Sequence, residues 1–438
     1  MRSKPTFVIV TLGCKVNQYD SWAIARELKA LGFDELSFGS EADVYIVDTC
    51  TVTHVADAKS RKTVKRARRF APNGVVVVTG CAATLSKRGE GSTFDVADLI
   101  ADNNEKDGLA KRIAGLVWKR WGKPGQESTP APEEQVGRID GTCRVRAMLK
   151  AQDGCDKFCS FCIIPFTRGQ PRSKRVDKVI EEAKELVDLG YAELVLTGVC
   201  LGMYGQDLNG GNVNLAHLLE RLNNVDGVKR IRMSSLDPRD ITSILIESAA
   251  ALPKVCDHMH ISLQSGDDEI LKAMRRGYTC SDYHHLIDKI RASIPDAAIT
   301  TDIMVGFPGE TKTYFENTCR FVEQIGFAQM HIFRYSTRPG TIAALVDKPA
   351  SPPEAEERSR TLLNLSGKLY QRYASRFAGS QLQVLVETTE AHDDHWKATG
   401  LSSNYLRVAW ESKIEPTSAS LEPVRIDTIG RGVVRGSV

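Results

Sequence analysis

Short apolar runs alternate with helical stretches over the first 120 residues. The runs Phe7–Val10, Val44–Val47 and Val75–Val78 have the length and composition of buried strands. The stretches between them predict helices over 21–31 and 55–70, the first of which stops at Gly32. Strands that alternate with helices in this way predict a parallel sheet with helical crossovers. We therefore expect an N-terminal α/β domain over residues 1–120.

The remainder of the chain divides into a linker and two further domains. Residues 121–142 are polar and rich in Pro and Gly, which is typical of a linker or a long surface loop. From 143 to 375 strand-like and helix-like segments alternate again, and this pattern predicts a complete or partial α/β barrel. Residues 376–438 alternate between strands without an intervening helix, which predicts a small C-terminal β-barrel.

Composition narrows the class of protein only slightly. The chain has 438 residues, of which 42% are hydrophobic, so two to four packed domains are expected and global disorder is excluded. No apolar run approaches the roughly 20 residues of a membrane span. The N-terminus also lacks the cleavage site of a signal peptide. We expect a cytoplasmic protein with no membrane partner. The net charge of +3 neither requires nor excludes nucleic acid.

Three of the 11 cysteines lie close together, in the segment GCDKFCSFCIIP. Cys155, Cys159 and Cys162 are near enough in sequence to wrap one face of a compact metal centre. A four-iron cluster normally takes four cysteines, so three would leave one iron open, as a catalytic metal site requires. Zinc is the main alternative, but paired CxxC knuckles or a nearby His are missing here. The spacing therefore favours an iron–sulfur cluster.

This triplet resembles the signature of the radical S-adenosylmethionine (SAM) superfamily, over roughly residues 145–345. The resemblance implies that the open iron binds SAM, whose reductive cleavage gives a 5′-deoxyadenosyl radical. Small or polar residues at predicted strand ends could approach this cofactor, although ordinary strand-to-loop chemistry explains them about equally well. These candidate cofactor-binding residues are Thr197, Gly198, Ser234, Ser235, Gln264 and Arg334.

Three other cysteines are far apart in sequence, but each follows a predicted strand. Cys14, Cys50 and Cys81 are separated by 36 and 31 residues. In a parallel sheet with right-handed crossovers, all strand C-termini lie at one edge. We therefore expect the three thiols to converge and to hold a second cluster with an open iron. Three unrelated buried thiols are the alternative.

The residues around these cysteines resemble the methylthiotransferase family. The segments TLGCKVNQYDS, DTCTVTHVAD and VTGC carry the resemblance, which extends over nearly the whole chain. The terminal β module resembles a TRAM domain, and KVNQ is most similar to the branch that modifies N6-threonylcarbamoyladenosine in tRNA. Three positions depart from the family pattern. Asp48 replaces the usual Asn, Ala82–Thr84 replaces a Tyr-Ala-Gln type of sequence, and Cys200 replaces a polar residue.

The resemblance implies 2-methylthiolation of a tRNA adenosine at position 37, next to the anticodon. It implies two 4Fe-4S clusters, an auxiliary one that carries or donates sulfur and one that cleaves SAM, and a second SAM that supplies the methyl group. The implied partners are the tRNA anticodon stem-loop and an electron donor such as flavodoxin or ferredoxin. The alternatives are methylthiolation of isopentenyladenosine tRNA or of a ribosomal-protein aspartate, or a non-catalytic iron–sulfur RNA-binding or sensor protein.

Basic residues are concentrated between 59 and 69, where KSRKTVKRARR has seven in eleven. On a helix, Lys62, Arg66 and Arg69 share one face that could contact RNA phosphates, with a solvated helix face as the alternative. Arg168 and Arg172, just past the cysteine triplet, are further candidates for RNA contact. The nine histidines form no sequence motif for a metal, and we interpret His258 and His260 as packed or hydrogen-bonded.

Overall fold

The computed structural model describes residues 4–122, 138–139, 142–143, 145–208, 213–346, 349–430 and 432–438. Contacts group the chain into two compact units. The first unit comprises 1–133, 153–171 and 336–345, and the second comprises 134–152, 172–335 and 346–438. The predicted linker lies mostly outside the described residues. The linear boundaries at 120, 142 and 375 stay a prediction, because these units are assembled from discontinuous segments.

The first unit is built on a parallel sheet flanked by helices. Its strands are β1 (Thr6–Thr11), β2 (Asp34–Glu35), β3 (Val44–Thr49), β4 (Val75–Gly80) and β5 (Leu99–Ile100). Its helices are α1 (Lys15–Ala30), α2 (His54–Phe70), α3 (Cys81–Lys87), α4 (Leu109–Trp121) and α5 (Ile164–Arg168). The sheet order is β2-β1-β3-β4-β5, with parallel pairing throughout. The predicted N-terminal α/β sheet is confirmed.

Both faces of this sheet are covered, which explains its unbroken apolar strands. Every residue of β3 and β4 is buried. Alternate residues such as Val44 and Ile46 pack with α1 and α4, whereas Tyr45 and Val47 pack with α2 and α3. Strands covered on both faces lose the polar alternation of a half-exposed sheet.

Helix α1 begins at Lys15, six residues before the predicted start at Ser21. Cys14 occupies the position before the helix with an extended backbone (φ −88°, ψ 175°). Val16 and Tyr19 are buried, so the polar segment KVNQYD forms the first turns of the helix. The early start places residues of α1 directly beneath the first cysteine.

The second unit contains the central strands and helices. Its strands up to residue 346 are β6 (Arg138–Ile139), β7 (Thr142–Cys143), β8 (Arg146–Lys150), β9 (Gln152–Asp153, at the boundary of the two units), β10 (Arg172–Ser173), β11 (Glu193–Thr197), β12 (Arg230–Met233), β13 (His258–His260), β14 (Ala298–Val305) and β15 (Gln329–Arg334). Its helices are α6 (Val176–Asp188), α7 (Leu215–Asn223), α8 (Ser243–Ala251), α9 (Asp268–Ala273), α10 (Cys280–Ser293), α11 (Lys312–Ile325) and α12 (Pro352–Ser375).

Six of these strands form a partial α/β barrel. Strands β8, β11 and β12 pair in parallel in that order, and so do β13, β14 and β15. A parallel bridge between Leu236 and Ile261 joins the two groups. In the described residues β15 does not pair with β8, so the barrel is open. The sequence left a complete or a partial barrel possible, and the structure shows the partial one.

The C-terminal residues form a closed five-stranded barrel. Its strands are β16 (Gln381–Ala391), β17 (Trp396–Ser402), β18 (Arg407–Ser412), β19 (Leu421–Ile429) and β20 (Val434–Ser437), in the order β16-β17-β18-β20-β19. The small-barrel prediction is confirmed. An added Cβ at Gly400 would lie 2.2 Å from the Leu385 carbonyl oxygen, so strand packing requires glycine there.

The small barrel packs against β12 through two buried arginines. Arg232 donates from Nε to Glu193 Oε1 (2.7 Å) and from Nη2 to the carbonyl of Ser402 (3.1 Å). Arg230 donates from Nη1 to the carbonyl of Leu401 (2.7 Å). Charged strand residues thus join the two parts of the second unit.

The described helices include none with the length and apolar character needed to span a membrane.

Candidate functional site

A cysteine follows each of the adjacent strands β1, β3 and β4. Cys50 and Cys81 come directly after β3 and β4, and Cys14 comes three residues after β1. An added Cβ at Gly13 (φ +108°) would lie 2.9 Å from Cys50 Cβ. The turn that presents Cys14 therefore lies against Cys50 and requires glycine. The structure brings the three thiols to one edge of the sheet, where their binding of a cluster stays a prediction.

The thiol chemistry of this edge fits a metal centre. Burial raises the pKa of the Cys50 thiol to about 11, and the neighbouring Cys81 and Cys14 add to the rise. Since the thiolate is the metal ligand, metal binding would release a proton from Cys50.

The side chain of Asn17 ties together the loops that carry Cys14 and Cys50. Its Nδ2 donates to the Leu12 carbonyl (2.8 Å), the Thr49 carbonyl (3.1 Å) and Asp48 Oδ1 (3.2 Å). Each acceptor precedes one of these two cysteines by one or two residues. Asn17 therefore holds the two strand ends in register, a role that the sequence analysis did not identify.

Arg168, the last residue of α5, provides a buried cation beside these cysteines. Its side chain is 1% exposed, and its Nη1 donates to both carboxylate oxygens of Asp153 (2.9 and 3.0 Å). Its Nη2 donates to Asn17 Oδ1 and lies 3.4 Å from Asp20 Oδ2. The prediction that Arg168 contacts RNA is therefore wrong, because its guanidinium is enclosed by protein acceptors.

The charge of Arg168 matches the chemistry of a thiolate-bound cluster. Burial opposes its charge, but Coulombic interactions with Cys81, Asp153 and Asp20 outweigh burial and raise the pKa of the guanidinium above its ordinary value. Thiolate-ligated iron–sulfur clusters are anionic, and nearby charge tunes their reduction potential. A buried cation next to Cys14 and Cys81 is therefore compatible with a cluster at this edge.

Lys106 supplies a second buried cation below the same strand ends. Its Nζ lies 2.7 Å from Asp20 Oδ2 and 3.1 Å from Asp48 Oδ2. Burial disfavours the charged amine, but Asp48 and Asp20 outweigh this effect and raise the pKa of Lys106. Asp48, the residue that departs from the family pattern, therefore has its own counter-ion.

The triplet Cys155, Cys159 and Cys162 lies in a loop of the same first unit. The loop opens at Gly154 (φ +76°), where an added Cβ would lie 2.0 Å from the Gln170 carbonyl oxygen. It is held by hydrogen bonds from the Cys155 amide to the Gly169 carbonyl (3.0 Å) and from the Cys162 amide to the Cys159 carbonyl (3.0 Å). All three cysteines are half-buried, which leaves them accessible to a ligand.

The segment 336–345 contacts the loop that follows Cys50 within the first unit. Arg338 donates to Thr51 Oγ1, and the Thr51 hydroxyl donates to Asp57 Oδ1 (3.0 Å). The His54 amide donates to Ser336 Oγ (3.0 Å). Thr51 directly follows Cys50, so Arg338 braces this loop. The sequence analysis missed this residue, although the segment TRPGT could have drawn attention to it.

The predicted cofactor-binding residues all lie in the second unit, at or just beyond the C-terminal ends of barrel strands. Thr197 and Ser234 are buried, and in the described residues Ser234 Oγ has no hydrogen-bond partner. An added Cβ at Gly198 would lie 3.0 Å from Gln152 Cβ. Gly198 therefore packs closely against Gln152, and approach of a cofactor to its backbone stays a prediction.

The other three candidates differ in exposure. Ser235 and Arg334 are exposed. Gln264 has a positive φ of 73°, and its carbonyl accepts from the Met304 amide (2.9 Å). A left-handed backbone at a residue other than glycine marks a locally strained strand end, a feature common at functional sites. Binding of SAM by these residues stays a prediction.

Helix α2 presents the predicted basic face to solvent. Lys62, Arg66 and Arg69 are exposed, and the Arg66 guanidinium stacks 4.8 Å from the Phe38 ring centroid. In the described residues, none of these three forms an ion pair with an acidic side chain, and their charges are therefore available to an anion. Arg172 at β10 is exposed as well.

Comparison with known proteins gives the family. Residues 149–322 match the Radical SAM superfamily, and residues 6–102 match the family described as Uncharacterized protein family UPF0004. The threonylcarbamoyladenosine tRNA methylthiotransferase MtaB of Bacillus subtilis is 38% identical over 410 residues, which cover 93% of this chain and 90% of that protein. This chain belongs to the radical SAM methylthiotransferase family. It is accordingly a transferase that uses SAM and 4Fe-4S clusters.

This methylthiotransferase is also similar to an enzyme named for a different tRNA adenosine and to a solved radical SAM structure. The tRNA-2-methylthio-N(6)-dimethylallyladenosine synthase of Moorella thermoacetica is 35% identical over 398 residues, which cover 88% of each chain. The solved structure of the radical SAM methyltransferase TsrM from Kitasatospora setae has a TM-score of 0.56 at 14% identity. It covers 78% of this chain and 77% of that chain, and it supports the fold alone.

Proposed function

We propose that this methylthiotransferase adds a methylthio group to C2 of N6-threonylcarbamoyladenosine at position 37 of tRNA, next to the anticodon. The observation that carries the proposal is the convergence of Cys14, Cys50 and Cys81 at one sheet edge, in the unit that also holds the Cys155–Cys162 loop. Two separate sets of three thiols give two clusters with different tasks. The name and 93% coverage of the Bacillus subtilis relative support this substrate.

The proposed roles of the residues follow from their positions. Cys155, Cys159 and Cys162 hold the cluster that binds SAM, and the other triplet holds the auxiliary cluster. When bound, SAM would supply the 5′-deoxyadenosyl radical and the methyl group, and the auxiliary cluster would supply sulfur. Arg168 balances the negative charge of the auxiliary cluster, while the strand-end residues from Thr197 to Arg334 contact SAM.

The proposed RNA contact is the basic face of α2, together with Arg172. Lys62, Arg66 and Arg69 would neutralise phosphates of the anticodon stem-loop. A base in an RNA loop can be unstacked into an active site at low cost, because it has no pairing partner to lose. The proposed electron donor is a small redox protein such as flavodoxin or ferredoxin.

The deciding experiment is mass spectrometry of tRNA nucleosides from a strain that lacks this gene. We expect the 2-methylthio derivative of N6-threonylcarbamoyladenosine to disappear and the unmodified nucleoside to accumulate. The wild-type gene should restore the derivative, whereas a Cys50→Ala variant should not. Loss of the 2-methylthio isopentenyladenosine derivative instead would assign the chain to the branch of the Moorella relative. Unchanged tRNA nucleosides would refute the proposal.

A further inference from the structure

Strands β13, β14 and β15 of the second unit bring together two histidines and a carboxylate that have no part in the cluster sites. His260 Nε2 lies 3.2 Å from Asp302 Oδ2, and His331 Nδ1 lies 3.3 Å from Asp302 Oδ1. One ligand atom from each of the three side chains falls within 4.8 Å of the other two. No sequence motif marks this group, because its members come from three separate strands.

The strand register explains why the three side chains meet. Asp302 is paired directly with His331, and Thr300, two residues earlier on β14, is paired with His260. Residues two apart on a strand point to the same face, so Thr300 and Asp302 lie on the face that carries both histidines. Parallel strands hold such a group rigidly, because each backbone is fixed by its neighbours.

Surrounding hydroxyl groups orient two of the three side chains. His260 Nδ1 lies 2.9 Å from Thr300 Oγ1, which leaves Nε2 directed at Asp302. The Ser262 hydroxyl donates to Asp302 Oδ2 (3.2 Å). Metal-binding histidines are usually held in this way through their second ring nitrogen, and metal-binding carboxylates through an outer hydrogen bond.

The separations of these atoms are compatible with neighbouring ligands around one ion. Neighbouring ligands at about 2.1 Å from one metal lie about 3.0 Å apart in octahedral geometry and about 3.4 Å apart in tetrahedral geometry. The two observed separations fall between these values.

The group is accessible from one side. The side chain of His260 is 8% exposed, that of Asp302 is 22% exposed and that of His331 is 43% exposed. An ion could therefore enter past His331 and keep coordination positions open on that side. Open positions distinguish a site that accepts a further ligand from a closed structural site.

We propose that His260 Nε2, His331 Nδ1 and the Asp302 carboxylate bind one divalent transition-metal ion of the Mn²⁺, Fe²⁺ or Zn²⁺ class. Two imidazoles and one carboxylate on one side of an ion form the donor set that these metals accept. The site shares no ligand with either cysteine triplet, and all its ligands belong to the second unit. It is therefore a third metal site, separate from the two clusters.

The test is a titration of the anaerobic holoenzyme with MnCl2, in which the electron paramagnetic resonance signal of free Mn²⁺ reports the unbound ion. We expect one Mn²⁺ per chain. Asp302→Asn and His331→Asn should each weaken binding at least 10-fold. His331 is partly exposed, so its replacement leaves the fold intact, as an unchanged melting temperature and unchanged iron content would verify.

The control uses a second stacked histidine pair of the second unit. The ring centroids of His392 and His395 are 5.2 Å apart, and those of His260 and His331 are 5.3 Å apart. A His392→Asn/His395→Asn variant should bind Mn²⁺ as the wild type does. The proposal is overturned if the holoenzyme binds no Mn²⁺, if binding is lost in the control variant, or if binding survives in both Asp302→Asn and His331→Asn.

Discussion

Lys106 Nζ lies 3.1 Å from Asp48 Oδ2, in a pocket of the first unit where the Asp48 side chain is 0% exposed. Asp48 stands two residues before Cys50, where the resemblance to the family led us to expect Asn. Burial raises the pKa of Asp48, and the charge of Lys106 opposes that rise. The Lys106 cation stabilises the ionised form of Asp48, which would otherwise be costly to bury near Cys50.

Replacing Lys106 by Met should destabilise the protein by about 3–5 kcal/mol, because it leaves buried carboxylates without their counter-ion. Adding Asp48→Asn to that variant should recover part of the loss, since one of the unpaired carboxylates is removed. Chemical denaturation of the anaerobically purified proteins measures both effects. Lys111→Met, on the exposed side of α4, is the control and should change stability little. A double variant no more stable than Lys106→Met would contradict this account.

Replacing Arg168 by Gln should lower the reduction potential of the auxiliary cluster. The reduced cluster carries more negative charge, and it loses the stabilising field of the buried guanidinium. A unit charge at about 6 Å in an effective dielectric of about 20 contributes about 3 kcal/mol, which is on the order of 100 mV for one electron. Arg168→Lys should retain much of the potential. A redox titration by electron paramagnetic resonance measures it, in a Cys155→Ala/Cys159→Ala/Cys162→Ala background that leaves one cluster.

Exposed Arg172 offers the control for that measurement. Arg172→Gln removes a charge that solvent already screens, and it should leave the potential unchanged. Equal shifts in the Arg168 and Arg172 variants would show that the buried position of Arg168 has no special effect.

The two cysteine triplets should separate by role. Changing Cys14, Cys50 and Cys81 to Ala should leave reductive cleavage of SAM largely intact, because the Cys155–Cys162 loop is unchanged. The same variant should form no methylthioadenosine. Product analysis by mass spectrometry distinguishes the two activities, and circular dichroism checks that the first unit still folds. A folded variant that still methylthiolates tRNA would remove the auxiliary triplet from the mechanism.

The basic face of α2 should determine part of the salt dependence of tRNA binding. A Lys62→Gln/Arg66→Gln/Arg69→Gln variant should bind tRNA more weakly and with a salt slope smaller by about 2–3, one phosphate contact per lost charge. Fluorescence anisotropy over a range of KCl concentrations measures the slope.

The matched control for this slope is a variant of another exposed helix with the same number of charges removed. Lys111, Arg112 and Lys119 of α4 are exposed, and replacing all three by Gln should leave the slope close to that of the wild type. If the two variants change the slope equally, α2 is only one part of a diffuse positive field.

The buried pair of Glu193 and Arg232 should give a pH-dependent contribution to stability. Burial alone would raise the pKa of Glu193, but the charge and hydrogen bonds of Arg232 outweigh it and hold that pKa below its ordinary value. The stabilisation is therefore present above about pH 4.5 and is lost as the pH falls through the lowered pKa. Glu193→Gln should cost about 3–5 kcal/mol at pH 7.

The pH dependence of that difference is the decisive measurement. As the pH falls below about 4.5, Glu193 takes up a proton in the unfolded chain before it does so in the folded protein. The stability of the wild type should therefore approach that of Glu193→Gln as the pH falls towards the lowered pKa. Both proteins carry the same clusters, so the comparison isolates this carboxyl group. A difference that stays constant from pH 7 to pH 4 would show that folding does not lower the pKa of Glu193.

Local sequence was sufficient for the positions of the cysteines. The short apolar runs before Cys14, Cys50 and Cys81 predicted three parallel strands, and parallel topology alone places the ends of such strands at one edge. The proximity of Cys155, Cys159 and Cys162 needed even less, because these residues are neighbours in sequence. Both predictions rest on residues that are a few positions apart in sequence, so they can be made without knowing the fold.

Only the tertiary structure decided what the buried charges do. Arg168 looked like an RNA contact because it follows an exposed loop, yet one of its partners, Asp20, is 148 residues away in sequence. His260, Asp302 and His331 come together from three strands, and the arginines of β12 are buried because the C-terminal barrel covers them. The periodicity of hydrophobic residues predicts which side chains become buried on folding. The partner of a buried charge is set by long-range contacts, which no local pattern records.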